Sequence, residues 1–287
     1  MSESLDYHKR LDGGTVLSLQ FVHPEREKVK DRERELRECA EENGAKDFKS
    51  RIQSQTFDEK FHAVYSAEIY PREFPDEDIE SLSQRESLII DSLLDAFRSF
   101  EKECKEEGGE LKWYKQPDVG CIVEEASQTQ WQQPVPEVAG SLLSNLIFAH
   151  GLPNANHRSS LSFVETYIST FEPDFEIPDT GVQGEWFDWS KKFVHESKRL
   201  LMLARKSPMF RYIDEWGCSH IRRKNDVVVD FDEYDIWVDD PWSHFRGQHQ
   251  ELSIEFVHRI LEQTKYNKLI GKQDPGKRVF LDRVSGN

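Results

Sequence analysis

Apolar side chains recur along this chain mostly at the spacing of one helix face. Val138, Leu142, Leu146 and Ala149 fall on such a face, with Ala139, Leu143 and Ile147 beside them. After a short break Leu161, Val164, Ile168 and Phe171 repeat the pattern. Residues 84–107 place Leu88, Ile89, Leu93, Leu94, Phe97 and Phe100 on one broad face and stop at Gly108-Gly109, where a left-handed C-terminal residue costs least. Residues 186–206 and 251–266 predict further helices, the second turning Leu252, Phe256 and Ile260 inward. Residues 24–43 begin at Pro24 and end before Gly44 with few apolar positions, which predicts a solvated helix.

Shorter apolar runs predict strands. Thr15 to Val22, after the turn residues Leu11 to Gly14, reads as one, and the Val-rich run 226–235 as another; 61–70 fits a strand or a short helix. Trp113 to Val123 sets aromatic and β-branched residues around Pro117-Asp118, which predicts a β-hairpin at about 111–125. The acids and prolines of 172–181 predict a loop. The acids between Asp226 and Asp240 lack the glycine and closing glutamate of an EF-hand, so no calcium site is expected there.

The chemistry is concentrated between the two apolar helices, in His150-Gly151-Leu152-Pro153-Asn154-Ala155-Asn156-His157-Arg158-Ser159-Ser160-Leu161. A helix starting near Asn156 turns unpaired N–H groups and its positive dipole end towards the preceding turn, which suits a phosphate. Arg158 in the first turn adds a planar fork of donors, and Ala155 leaves the approach open. His150, at the end of the preceding helix, has the ordinary basicity to take a proton from a hydroxyl near neutral pH. The same residues also admit plainer roles: Asn154 and Asn156 as helix caps, Arg158 paired with Glu165 or Glu137, His150 as a partner of the helix C-terminal dipole.

With His150, Asn154, Ala155, Asn156 and Arg158 at these offsets, the motif resembles the Fic/Doc (Fido) family. It follows the Doc branch, His-x-Phe-x-(Asp or Asn)-(Ala or Gly)-Asn-Lys-Arg, more closely than the Fic branch, and Ser159-Ser160-Leu161 is similar to the Doc Thr-Ala-Leu. The resemblance implies transfer of a phosphoryl or nucleotidyl group from ATP or another nucleoside triphosphate to a hydroxyl of a protein substrate. His150 would be the general base, Asn156 and Arg158 with Ala155 and His157 would hold phosphate, and Asn154 would position a magnesium ion. It also implies a hairpin flap that aligns the target by strand pairing, and a toxin role with an inhibitory partner protein. Glu103, in Ser99-Phe100-Glu101-Lys102-Glu103-Cys104, is the candidate intramolecular inhibitor, although Cys104 breaks the last position of that motif.

Some positions depart from the family. Leu152 replaces the usual Phe, and Asn154 replaces the acid of the Fic branch with a neutral oxygen, a poorer magnesium ligand. His157 replaces Gly or Lys, and Leu161 replaces the second Arg of the Fic branch, which points away from adenylylation (AMPylation) and towards Doc-like phosphotransferase chemistry. The alternative is a catalytically inactive Fic-fold module that binds nucleotide or peptide.

These elements predict a mainly α fold: a Fic/Doc-like helical bundle with a small β-hairpin flap and extra α/β segments at the C-terminus. The expected domains are an N-terminal region 1–83 of strand and charged helix, a core 84–171 with motif 150–161, and a mostly helical region 172–287. Composition narrows the partners. The 38 basic and 54 acidic residues give a formal charge of −16, which disfavours direct nucleic-acid binding. The mean hydropathy of −0.73 and the lack of a long apolar run predict no membrane span, and Met1 to Asp6 lack a signal-like pattern, so a cytoplasmic location is expected. Cys39, Cys104, Cys121 and Cys218 have no paired spacing and read as free thiols.

Overall fold

The structure, a computed structural model, describes residues 4–12, 14–72, 74, 82–178, 185–224 and 226–285. Residues 179–181 of the expected 172–181 loop lie outside the described residues. The chain divides into two compact units, each assembled from separated stretches: 1–72 with 198–245, and 73–197 with 246–287. The motif core 84–171 falls within the second unit, whereas the expected C-terminal region is shared between both. Local periodicity carries no record of such a return of the chain.

The first unit is mixed α/β. A four-stranded antiparallel sheet takes the order β2 (His8–Arg10), β3 (Val16–His23), β5 (Lys60–Ile69), β4 (Asp47–Thr56). β1 (Ser4–Asp6) instead pairs parallel with β6 (His220–Arg222), which pairs antiparallel with β7 (Val228–Asp230). Residues 61–70 are thus strand. The whole inner run Phe61 to Ser66 is buried, because α1 (Arg26–Glu42) packs against β5 and contributes Val29 and Ala40. β4 was not legible in the sequence: Asp47–Thr56 is almost wholly polar, and its ten-residue ladder to β5 decides its state.

The second unit is helical, built from α2 (Gln84–Glu106), α3 (Val119–Ser127), α4 (Val135–Ala149), α5 (Asn156–Ser169), the start of α6 (Glu185–Glu215), most of α7 (Pro241–Gln263) and α8 (Lys277–Val284). α2 starts on a capping box, Ser83 with Glu86. α4 is the central helix, buried along its length except at Glu137. It packs on α3 and α5 and approaches α7 so closely that a Cβ on Gly140 would lie 2.5 Å from Ile254 Cα. Buried Asp274 ties the base of this bundle: Tyr167 Oη donates to Oδ1 at 2.9 Å, and the N–H groups of Gln132 and Gly276 to Oδ2 at 3.1 and 2.7 Å.

Two expectations change. The molecule is mixed α/β rather than mainly α, since one unit is built on sheets. The hairpin expected at about 111–125 is not formed: residues 119–127 are helix α3, preceded by an irregular stretch. Asp118, read as a turn residue, is the helix cap, accepting the Cys121 N–H at 2.9 Å, and Val119, Ile122 and Ala126 are its buried face. No helix among the described residues is long and apolar enough to cross a membrane.

Candidate functional site

The motif forms the turn between α4 and α5, as its residue order predicts. His150 closes α4 in a left-handed conformation, φ +47°, and Ala155 opens α5 at φ +53°. Left-handed backbone costs a residue with a Cβ about 1–2 kcal/mol, so a turn bracketed by two such residues needs strong support. Asn156 supplies it, because its buried amide accepts the Leu152 N–H and donates to the Leu152 carbonyl, both at 3.0 Å. One amide hydrogen of Asn156 is spent there and one remains. Leu152 is buried and anchors the turn in the apolar interior.

The stretch before α3 runs beside the turn. Tyr114 N–H donates to Pro153 O at 3.1 Å, Asp118 N–H to Gly151 O at 2.8 Å, and Asn154 Nδ2 to Lys112 O at 2.8 Å. A Cβ on Gly151 would strike Ile122 and come within 2.7 Å of the Asp118 carbonyl oxygen, so only glycine fits. Asn154 Oδ1 accepts the Ala155 N–H at 2.7 Å. Tyr114 is half-exposed on this stretch.

Arg158 stands exposed in the first turn of α5, its Cζ 5.7 Å from the centre of the Phe100 ring of α2. It makes no ion pair among the described residues. The acids that the plainer reading offered it are engaged elsewhere: Glu165 accepts the Ile177 N–H at 3.1 Å, and Glu137 lies 3.7 Å from His258 Nε2. Glu103 is exposed on α2 one turn after Phe100 and forms no ion pair with Arg158. Ser159 Oγ, one residue further along α5, is buried with no hydrogen-bond partner among the described residues.

His157 leads inward. Its Nε2 lies 2.8 Å from Ser197 Oγ on α6, which is 2.7 Å from Nε2 of His249 on α7, whose Nδ1 is 2.8 Å from Ser144 Oγ on α4. Ser197, His249 and Ser144 are all fully buried, and burial pulls the His249 imidazole down to about 3, leaving it neutral at physiological pH. Sequence reasoning singled out His157 and missed the other three. The available signal was Ser144 among the apolar residues of α4, since a hydroxyl on a buried helix must find a partner.

The turn thus brings together His150, Asn154, Ala155, Asn156, His157 and Arg158 on one short segment, and Glu103 lies on the neighbouring α2. Among the described residues no three of His, Cys, Asp and Glu converge as metal ligands, and the four cysteines are unbridged. No curated protein and no solved structure matches this chain. Over residues 1–287 the sequence matches the family of unknown function DUF8172, and the chain belongs to that family.

Proposed function

We propose that the α4–α5 turn is the active site of a Fic/Doc-like transferase, which moves a phosphoryl or nucleotidyl group from a nucleoside triphosphate to a protein hydroxyl. The observation that carries this reading is the turn itself. One helix ends on His150 and the next begins with Arg158 in its first turn, across a segment that Asn156 and Gly151 lock in place.

In this reading the N–H groups at the start of α5 and the Arg158 guanidinium hold phosphate oxygens and offset the charge gathered in the transition state. Arg158, over the Phe100 ring and in no ion pair among the described residues, is placed to take an anion. His150 takes the proton of the attacking hydroxyl. The new oxygen–phosphorus bond forms as the bond to the leaving group breaks, releasing pyrophosphate if the α phosphorus is attacked or the nucleoside diphosphate if the γ phosphorus is attacked. A magnesium ion held by the turn does not fit the donor set: Asn154 Oδ1 is neutral and already accepts the Ala155 N–H.

A second reading, nucleotide binding without transfer, is favoured by the helix at 119–127, which stands where a strand would align a target peptide. Incubation with ATP labelled at the α or γ phosphate, in the presence of candidate protein acceptors, separates the two. Label on protein selects the transferase and identifies the group. Bound ATP without labelled protein selects the binding module. Failure to bind ATP or pyrophosphate at millimolar concentration overturns both.

A further inference from the structure

Where the parallel strands β1 and β6 of the first unit end, neighbouring cations fare differently. Arg222 is answered by its register partner Asp6, whose carboxylate it meets at 3.0 Å and which also takes Lys9 at 2.9 Å. Arg223 has no ion pair among the described residues. Its Nε donates to Nε2 of His8 at 3.3 Å, and its two Nη groups have no acceptor there. Lys198, on the part of α6 that belongs to this unit, makes neither a hydrogen bond nor an ion pair among the described residues. Burial, with the nearby Arg223 charge, pulls its ammonium below the ordinary lysine value, and burial does the same to the Arg223 guanidinium.

The groups around these cations add no negative charge. Burial and the Arg223 and Lys224 charges hold His8 neutral, at about 3. Since Arg223 Nε always carries its hydrogen, His8 Nε2 is the acceptor and its proton sits on Nδ1, which faces Ser18 Oγ at 3.2 Å. His8 thus holds the guanidinium in place without neutralising it. The Tyr7 hydroxyl lies within reach of the Arg223 and Arg205 charges and has no hydrogen-bond partner among the described residues; burial raises its pKa, so it stays a donor. Tyr7, His8, Lys198 and Arg223 all keep part of their surface in solvent, so a solute can reach them.

Partly desolvated cations side by side are costly, and this chain has 54 acidic residues from which to supply a partner. Their lack of one is the arrangement of a site whose counter-ion is a ligand. That ligand must accept from a planar fork and an ammonium at once, and two negative charges match the two positive ones. A phosphate dianion meets both demands, whereas a carboxylate brings one charge and chloride has no directed lone pairs to match the fork. We propose that Arg223 and Lys198, with the Tyr7 hydroxyl, bind a phosphate dianion, supplied as the free ion or as the end group of a phosphate monoester. The site lies in the first unit and does not rest on the reading of the α4–α5 turn.

The test uses the full-length protein labelled with 15N-arginine, with the Arg223 Nε–H signal assigned by its loss in Arg223→Lys. That signal is followed as inorganic phosphate, AMP or sodium chloride is added at pH 7.5 and constant ionic strength. Phosphate or AMP at millimolar concentration should move it, and chloride should not. Lys198→Gln should weaken phosphate about 10-fold, the worth of one charge-assisted hydrogen bond, whereas Lys198→Arg should stay within about 3-fold. Lys206→Gln removes a neighbouring half-buried cation that interacts with Arg205 and Arg32 instead, and should leave the titration unchanged. Phosphate binding at least as tightly as AMP assigns the site to the free ion, and tighter AMP assigns it to a monoester. An Arg223 signal that neither phosphate nor AMP moves, or a response equal in Lys198→Gln and wild type, would overturn the site. A response lost in Arg158→Ala would place the anion at the α4–α5 turn and overturn it as well, while a response kept there separates the two sites.

Discussion

The proposed transferase reading gives His150 and Arg158 separable duties, and single substitutions should divide them. A general base contributes about 100- to 10,000-fold to rate and little to ground-state affinity, so His150→Ala should abolish transfer by about that factor with ATP affinity held within a few-fold. Arg158→Ala would remove the phosphate contacts that reading assigns to the guanidinium and should weaken ATP binding and transfer together. Isothermal titration with a labelled-nucleotide assay checks both, and an equal loss of affinity in the two variants would contradict the assignment. Asn154 offers a third test. Its Oδ1 is a neutral acceptor occupied by the Ala155 N–H, with Nδ2 anchored on the Lys112 carbonyl. Asn154→Asp keeps the first bond, loses the second and supplies a charged oxygen, so ATP binding should become tighter with magnesium than without it. A magnesium response no larger than that of the wild type would remove position 154 from the metal question.

At the scale of elements, α4 is held by close approaches rather than by side-chain bulk alone. A Cβ on Gly140 meets the backbone and side chain of Ile254, so Gly140→Ala must push α4 and α7 apart. Intrinsic helix propensity favours alanine by about 1 kcal/mol. Overpacking a tight contact costs typically 1–3 kcal/mol or more, so a net loss is expected, read as a lower urea midpoint. A stabilised variant would show that the helices separate easily. This contact also marks the limit of what the sequence reveals. α2, α4 and α5 announce themselves because their apolar positions repeat at helical spacing over several turns, and the motif is legible because it is local. α3 was misread because nine residues hold too few repeats to separate a helix from a strand, and Pro117-Asp118 signals a turn and a cap equally well. Ser197 and His249 could not be matched to His157 at all, since they lie 40 and 92 residues away and carry no shared pattern.

Across the whole molecule, the buried imidazoles set how stability depends on pH. His8 in the first unit and His249 in the second are each pulled by burial to about 3, with the Arg223 and Lys224 charges adding to the effect at His8. The unfolded value is about 6.5, so between 6.5 and 3 the unfolded chain binds a proton that the folded unit refuses. A base with a depressed folded pKa contributes stability fully above 6.5 and loses it as pH falls. The slope is about 1.4 kcal/mol per pH unit for each histidine, which makes at most about 2 kcal/mol each between pH 6.5 and 5. That window lies above the range where ordinary carboxylates titrate, about 3.9–4.3, so the 54 acidic residues contribute little to it. The two histidines also belong to different units, and each should destabilise its own. Urea unfolding at pH 7.5, 6.5, 5.5 and 5.0, followed by tryptophan fluorescence and circular dichroism, measures the slope. A flat plateau above 6.5 and a steady fall below it are expected. His62, also buried and lowered by desolvation, adds to the same fall, and His8→Gln and His249→Gln should each reduce it. A stability that holds constant down to pH 5 would mean that the buried rings accept protons in the folded state.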